Sequence, residues 1–316
     1  MVKKTELPIM NSKKTLWYRI KTELIANRYL YILLIPLLAY YIIFMYLPMF
    51  GLVIAFKDYS IAGGIMRSPW VGLRYFKEFI TGIYFTRTLT NTLVISFASI
   101  LFGFPAPIIF ALLLNEISNR KYKKFVQTAT YLPHFISTVV ICGMIASFFG
   151  TDGLITKIIA MLGGKNINYI ASPKWFRTVF IASDIWQGFG WGSIIYISAL
   201  SGVDEALYEA ATIDGAGRFK QLWHITLPGI IPTIMIMLIM RLGSIMSVGY
   251  EKIILLYSPA TYEVADVISS YVYRMGIMGS RYSYSAAVGL FQSVINIIIL
   301  FIANKVSDKM TETSLF

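Results

Sequence analysis

The stretch Tyr29-Leu-Tyr-Ile-Leu-Leu-Ile-Pro-Leu-Leu-Ala-Tyr-Tyr-Ile-Ile-Phe-Met-Tyr-Leu-Pro-Met-Phe-Gly-Leu-Val-Ile-Ala-Phe56 carries no formal charge. Crossing roughly 30 Å of hydrocarbon takes about 20 residues of helix. Any other single-segment backbone would leave N–H and C=O groups unpaired in lipid. Residues 88–115, 125–151 and 282–304 are equally free of charge. Two more runs carry one exception each: 178–203 contains Asp184, and 221–250 contains Arg241, with His224 near its start. Six transmembrane helices are therefore predicted. Outer-membrane strands would alternate over about ten residues, and these runs do not alternate.

Composition agrees. Hydrophobic residues make up 57% of the 316, only 14% are charged, and the mean hydropathy is +0.66, so there are too few charges to clothe a soluble core. The net charge of +12 does not mark a nucleic-acid binder. The basic residues form no stripe interleaved with exposed aromatics; they flank the apolar runs, where they can touch anionic lipid and set topology. The single cysteine, Cys142, lies inside an apolar run and reads as a small buried hydrophobe, with no disulfide framework and no cysteine metal site.

Lys3, Lys4, Lys13, Lys14, Arg19, Lys21 and Arg28 precede the first run, and Arg120, Lys121, Lys123 and Lys124 join the second to the third. With six spans these segments share one side with residues 204–220, and both termini are expected in the cytoplasm. Residues 1–28 read as a cytoplasmic or interfacial segment that is retained rather than cleaved. Trp17 and Tyr18 suit a helix along the inner membrane surface, while residues 1–12 can equally be a disordered basic tail. The membrane domain is placed at 29–304 and a cytoplasmic tail at 305–316. Residues 57–86 read as an outer loop with a short amphipathic piece.

One polar loop stands out: Leu207-Tyr-Glu-Ala-Ala-Thr-Ile-Asp-Gly-Ala-Gly-Arg-Phe-Lys-Gln-Leu-Trp-His-Ile-Thr-Leu-Pro228. Asp204 or Ser201 can cap a helix over 205–213, whose residues are mostly good helix formers. Gly215 and Gly217 break it and permit a sharp bend. A second short turn, 218–224, leads to Pro228 at the head of the fifth run. Small and acidic side chains on a helix–bend–helix suit a knob that inserts into another protein's cleft.

This loop resembles the EAA signature of ABC-importer permeases. Glu209-Ala210-Ala211, Gly215, Ile225 and Leu227-Pro228 stand at its spacing. The resemblance implies an all-α membrane protein of the type I importer fold, in a bacterial cell membrane, with 204–228 as a cytoplasmic coupling loop. Glu209, Ala210, Asp214 and Gly215 would contact a groove on a separate ATPase, with Ala211, Ala216, Gly217, Ile225, Leu227 and Pro228 completing the motif. Tyr131-Leu-Pro-His-Phe-Ile-Ser137, Trp186-Gln-Gly-Phe-Gly-Trp-Gly-Ser-Ile-Ile-Tyr196, Val248-Gly-Tyr-Glu-Lys-Ile-Ile-Leu-Leu-Tyr257, Tyr262-Glu-Val-Ala-Asp-Val-Ile268 and Tyr284-Ser-Ala-Ala-Val-Gly-Leu290 are similar to LplB-type polysaccharide and oligosaccharide permeases. That implies a heterodimer with a second permease, two ATPase subunits and an extracellular sugar-binding lipoprotein. ATP and its magnesium would sit on the ATPases.

The chain has no G-x-x-x-x-G-K-[ST] phosphate loop, no HExxH and no Ser-His-Asp elbow, so no catalytic residue or metal ligand is assigned. Its two histidines, His134 and His224, read as structural. Ionisable groups inside a bilayer usually face a bundle interior or a wet cavity. Asp184, Gln187 and Trp191 share one helix face and offer a carboxylate, an amide and a flat ring to a sugar. Alternatively Asp184 lies near the outer interface, solvated or paired with Arg177. Arg241 can bind an acidic sugar or bridge to a companion subunit's carboxylate. Tyr250, Glu251, Gln292 and Asn296 are further pathway candidates, or hydrogen-bonding glue between helices. The alternatives in function are a permease for another solute class, or an ATP-independent transporter. The latter would need its own ion site and usually inverted repeats.

Overall fold

The computed structural model describes residues 16–311, with side chains over 21–309. The chain divides into two units, Met1–Val53 and Ile54–Phe316. In the first, α1 (Leu16–Ala26) contains Trp17 and Tyr18, and α2 (Arg28–Tyr41) continues through a wide π turn, Ile42–Tyr46. None of the α2 residues is buried. Lys3, Lys4, Lys13, Lys14 and the proposed 1–12 tail lie outside the described residues, as do 312–316 of the C-terminal tail.

The second unit is helical throughout, and among the described residues the only β pairing is an isolated Lys57–Trp70 bridge. Its main helices are α3 (Arg74–Ile80), α4 (Phe85–Ala98), α5 (Pro105–Asn115), α6 (Arg120–Tyr131) and α7 (Thr138–Phe149). There follow α8 (Leu154–Met161), α9 (Pro173–Leu200), α10 (Glu205–Ile213) and α11 (Leu227–Gly243). The last are α12 (Tyr250–Leu256), α13 (Ile268–Tyr273) and α14 (Tyr282–Thr311). Within the described residues five helical stretches are long and apolar enough to cross a membrane: Arg28–Phe56, Phe85–Asn115, Thr138–Met161, Arg218–Gly243 and Tyr282–Lys309.

Prolines shape these rods in a repeated way. Pro48, Pro105 and Pro228 each follow a π turn, at Ile42–Tyr46, Ser99–Gly103 and Leu222–Thr226. Proline lacks an N–H and crowds the carbonyl four residues back; widening the preceding turn absorbs that conflict without ending the helix. Pro133 has no such relief. The run 125–151, expected as one helix, is broken there: α6 ends at Tyr131, Leu132–Phe135 is a 3-10 turn, and Ile136 and Ser137 are extended. The Ser137 hydroxyl then accepts the Val140 N–H and caps α7. The run 221–250 is also interrupted, after Gly243, and resumes as α12.

Three apolar clusters hold the second unit. One joins α4, α7, α9 and α12 through Ile95, Ile141, Cys142, Phe176, Phe180 and Ile253. A second joins α3, α13 and α14 through Phe79, Met246, Ile268, Tyr271, Tyr284 and Val288. The third packs α5, α9 and α11 through Ile108, Ala111, Tyr196, Leu200 and Ile230. Large apolar side chains also stay exposed, among them Phe97, Phe102, Leu113, Phe301 and Ile302. That is the surface of a chain solvated by acyl tails.

A very close approach in this packing is at Gly190 of α9, where an added Cβ would stand 2.2 Å from the Thr130 carbonyl oxygen of α6. Gly190→Ala should therefore destabilise the fold by about 1–3 kcal/mol. Gly188→Ala, on the same helix with open space at its Cβ, should be neutral or gain up to about 1 kcal/mol from helix propensity. Denaturation midpoints of the two variants in detergent check the contrast.

Candidate functional site

The polar loop folds into a capped helix and a sharp turn. Asp204 caps α10 by accepting the Ala206 N–H at 2.9 Å. Its other end is a Schellman motif: the Ala216 N–H bonds the Ala211 carbonyl at 2.8 Å and the Gly215 N–H bonds Thr212 at 3.1 Å. Gly215 takes φ +77°, a backbone region that costs other residues strain. Gly217 is extended and opens the short Arg218–Gln221 helix. Gln221 Nε2 donates to Thr212 Oγ1 and to the Ala216 carbonyl, and Tyr208 Oη donates to Thr226 Oγ1, so the bend is braced from both arms.

Glu209, Ala210, Asp214, Gly215 and Gly217 are exposed, Ala211 and Ala216 half-buried. Leu207, Ile213, Phe219 and Trp223 add exposed apolar surface around them. Ile225 and Leu227 are half-buried, and Pro228 lies in the first turn of α11. His224 Nδ1 lies 3.0 Å from the Lys220 carbonyl, a local helical contact.

Two adjoining cavities lie among these helices, one of about 280 Å³ between α4, α9, α11 and α12 and one of about 220 Å³ between α5, α9 and α11. Ser99, Asp184 and Arg241 line both. Ser96, Ser244, Ser247 and Lys252 complete the first; Gly188, Gly192, Tyr196 and Met237 belong to the second. Asp184 is paired with Lys252, Nζ to Oδ1 3.5 Å, and not with Arg177. Arg177 instead donates to Asn91 Oδ1 at 2.7 Å and to the Val264 carbonyl at 3.0 Å. Lys252 is 5% exposed, against 47% for the Asp184 side chain.

The shared face of Asp184, Gln187 and Trp191 does not become one site. Only Asp184 lines the cavities. Trp191 is stacked on His134, ring centroids 4.7 Å apart and nearly parallel, with Phe135 edge-on. One face of that indole is thus occupied by protein. Gln292 and Asn296 close the gap in α11–α12: Gln292 Nε2 donates to the Met246 carbonyl, Asn296 Oδ1 accepts the Met246 N–H, and both reach Ser247 Oγ. They act as hydrogen-bonding glue for a broken helix. Tyr250 packs against Tyr273, and Glu251 is exposed; neither lines a cavity described here.

Sequence reasoning missed Lys252, whose signal was a lone lysine beside the apolar string Ile253-Ile-Leu-Leu256. It also missed the network around Asp266, which is fully buried and holds Arg274 at 2.6 and 3.0 Å and Arg87 at 3.1 Å. Burial pulls the Arg274 guanidinium downward, but the Asp266 bonds outweigh it and leave its pKa above the ordinary value. Among the described residues no three His, Cys, Asp or Glu side chains are grouped to hold a metal ion.

Comparison with known proteins places this architecture. Protein LplB of Bacillus subtilis (strain 168) is 45% identical over 99% of this chain and 98% of its own length. The polygalacturonan/rhamnogalacturonan transport system permease protein YteP of the same organism is 41% identical over 96% of this chain and 95% of its own. A chain in the crystal structure of a bacterial ABC transporter involved in import of the acidic polysaccharide alginate superposes with a TM-score of 0.86 at 41% identity, covering 93% of this chain and 99% of that one. A chain in the crystal structure of a bacterial alginate ABC transporter in complex with an alginate pentasaccharide-bound periplasmic protein matches with a TM-score of 0.86 at 41% identity, covering 96% of this chain and 100% of that one. The fold is that of type I importer permeases, and the chain is a multi-pass transport component rather than an enzyme. Residues 79–312 match the family described as binding-protein-dependent transport system inner membrane component, and the chain belongs to it.

Proposed function

We propose that the chain is the permease subunit of an ATP-binding-cassette importer that carries oligosaccharides or polysaccharide fragments handed over by an extracellular binding lipoprotein. A second, related permease completes the pathway as a heterodimer, and two ATPase subunits bind the ATP and magnesium. Residues 1–28 form the interfacial segment, 29–304 the permease domain and 305–316 a tail, with both termini in the cytoplasm.

The fourth of the six spans in this scheme, beyond the five apolar stretches, is α9. Its 28 residues reach about 42 Å, long enough to cross. Its lower hydropathy comes partly from Arg177, bonded to Asn91 and the Val264 carbonyl, and from Asp184, which faces the cavities with the Lys252 ammonium 3.5 Å away. Polar groups satisfied by protein do not face lipid unpaired.

Counting six spans puts 204–228 on the cytoplasmic side with the basic segments at 1–28 and 120–124. The observation carrying the coupling role is the exposed helix and Schellman turn presenting Glu209, Ala210, Asp214 and Gly215. Alternating access follows: ATP-driven closure of the ATPases draws the loops of the two permeases together, and the cavity around Asp184 and Arg241 switches sides.

The test is reconstitution of the four-subunit complex in liposomes. Loaded binding protein should stimulate ATP hydrolysis and ATP-dependent uptake of oligosaccharide. Glu209→Ala should cut both at least about fivefold, the effect of losing one charge-assisted contact, while the helices remain inserted. Uptake that persists without the ATPases but collapses with an ion gradient would instead mark a secondary transporter.

A further inference from the structure

The cavity at Asp184 and Arg241 holds more positive charge than it neutralises. Lys252 and Arg241 face one carboxylate, and the ion pair spends Asp184 on Lys252. Arg241 is exposed to the cavity with no carboxylate within ion-pair distance among the described residues. Lys252 is nine-tenths buried and more, yet its Nζ has no hydrogen-bond acceptor; at 3.5 Å, Asp184 Oδ1 attracts it by charge without taking a proton in good geometry. Its other neighbour is the face of Phe180, 5.4 Å from Nζ to the ring centroid. A buried ammonium with unspent donors is costly unless something enters to accept from it.

We infer that this cavity is a site for the carboxylate of an acidic sugar, gripped by Arg241 and by the free donors of Lys252. This rests on the importer reading above and names its substrate as anionic, a uronate-containing oligosaccharide. The planar guanidinium matches a carboxylate with two parallel bonds. Ser96, Ser99, Ser244 and Ser247 also line the cavity; the Ser96 and Ser244 hydroxyls donate to main-chain carbonyls and keep lone pairs that can accept from ring hydroxyls.

The purified permease–ATPase complex without binding protein gives the direct test, because the binding protein's own preference is then absent. Binding of digalacturonate is compared with that of its methyl ester, which keeps the shape and loses the charge. The wild-type complex should prefer the acid by about tenfold or more. Arg241→Gln and Lys252→Gln should each erase most of that preference, and Arg241→Lys should keep part of it, having the charge without the fork. Equal affinity of the wild type for acid and ester overturns the inference. So does a full preference for the acid in Arg241→Gln and Lys252→Gln complexes that still assemble, since the carboxylate is then recognised elsewhere. Neither result touches the importer reading, which fails only if no oligosaccharide is taken up with ATP.

Discussion

Gly215→Glu should reduce ATP-driven uptake by at least about tenfold while leaving the protein inserted and its denaturation midpoint close to wild type. Space is not the obstacle, for nothing lies within 4 Å of a Cβ built at Gly215. The obstacle is φ +77°, which costs an ordinary L-residue roughly 1–2 kcal/mol, and each 1.4 kcal/mol is about tenfold in a population. If the turn relaxes, the Ala216-to-Ala211 and Gly215-to-Thr212 bonds are lost, and the acidic knob no longer meets its groove at the right angle. Glutamate adds a charged bulk at that surface. Asparagine tolerates the left-handed region, so Gly215→Asn should transport best, Gly215→Ala less, and Gly215→Glu least. Uptake at the wild-type rate by the glutamate variant would refute the coupling role assigned to this loop.

That turn was legible because its determinants are local. Asp204 as cap, the helix formers of 205–213 and Gly215 as stop all act within a few residues, and the structure reproduces the bounds of α10. The apolar runs were legible for the same reason, each being a continuous property of the chain. What escaped is long-range. The Asp184–Lys252 pair joins residues on α9 and α12 that no spacing rule connects, so Arg177, nearby in sequence, was the natural partner to name. It turned instead to Asn91, 86 positions away. Trp191 looked like a free stacking platform until the break at Pro133 swung His134 onto its face. Gln292 and Asn296 looked like pathway groups because the helix gap they mend, at 244–249, is invisible before α11 is known to end at Gly243.

Asp266→Asn should cost about 3–5 kcal/mol of stability, the usual penalty for removing one partner of a buried ion cluster. Asp266 is 0% exposed, and both its carboxylate oxygens are occupied. Oδ1 accepts from Arg274 Nη1 at 3.0 Å and Ser270 Oγ at 2.9 Å; Oδ2 accepts from Arg274 Nη2 at 2.6 Å and Arg87 Nη2 at 3.1 Å. An asparagine keeps the shape but leaves two guanidinium groups facing a neutral amide whose own N–H donors meet them head-on. Its main-chain carbonyl, meanwhile, accepts from Asn91, which also receives Arg177. The cluster therefore ties α4, α9 and the 263–274 segment into one piece, and a shift of any of them must carry the others. Arg274 has its pKa raised, so the stability it lends is present below the ordinary arginine value and lost only as pH rises past the higher folded one; no working pH releases it. Burial likewise shields the cluster from salt. Thermal denaturation of the detergent-solubilised variant should show a markedly lower midpoint, nearly independent of pH and ionic strength. The triple change Arg87→Met, Asp266→Leu, Arg274→Met should recover much of the loss, because apolar packing in place of a buried ion cluster is often no worse. An Asp266→Asn protein that melts with the wild type would mean that α4, α9 and the 263–274 segment are held by their apolar contacts alone, and that this charge cluster contributes nothing to their rigidity.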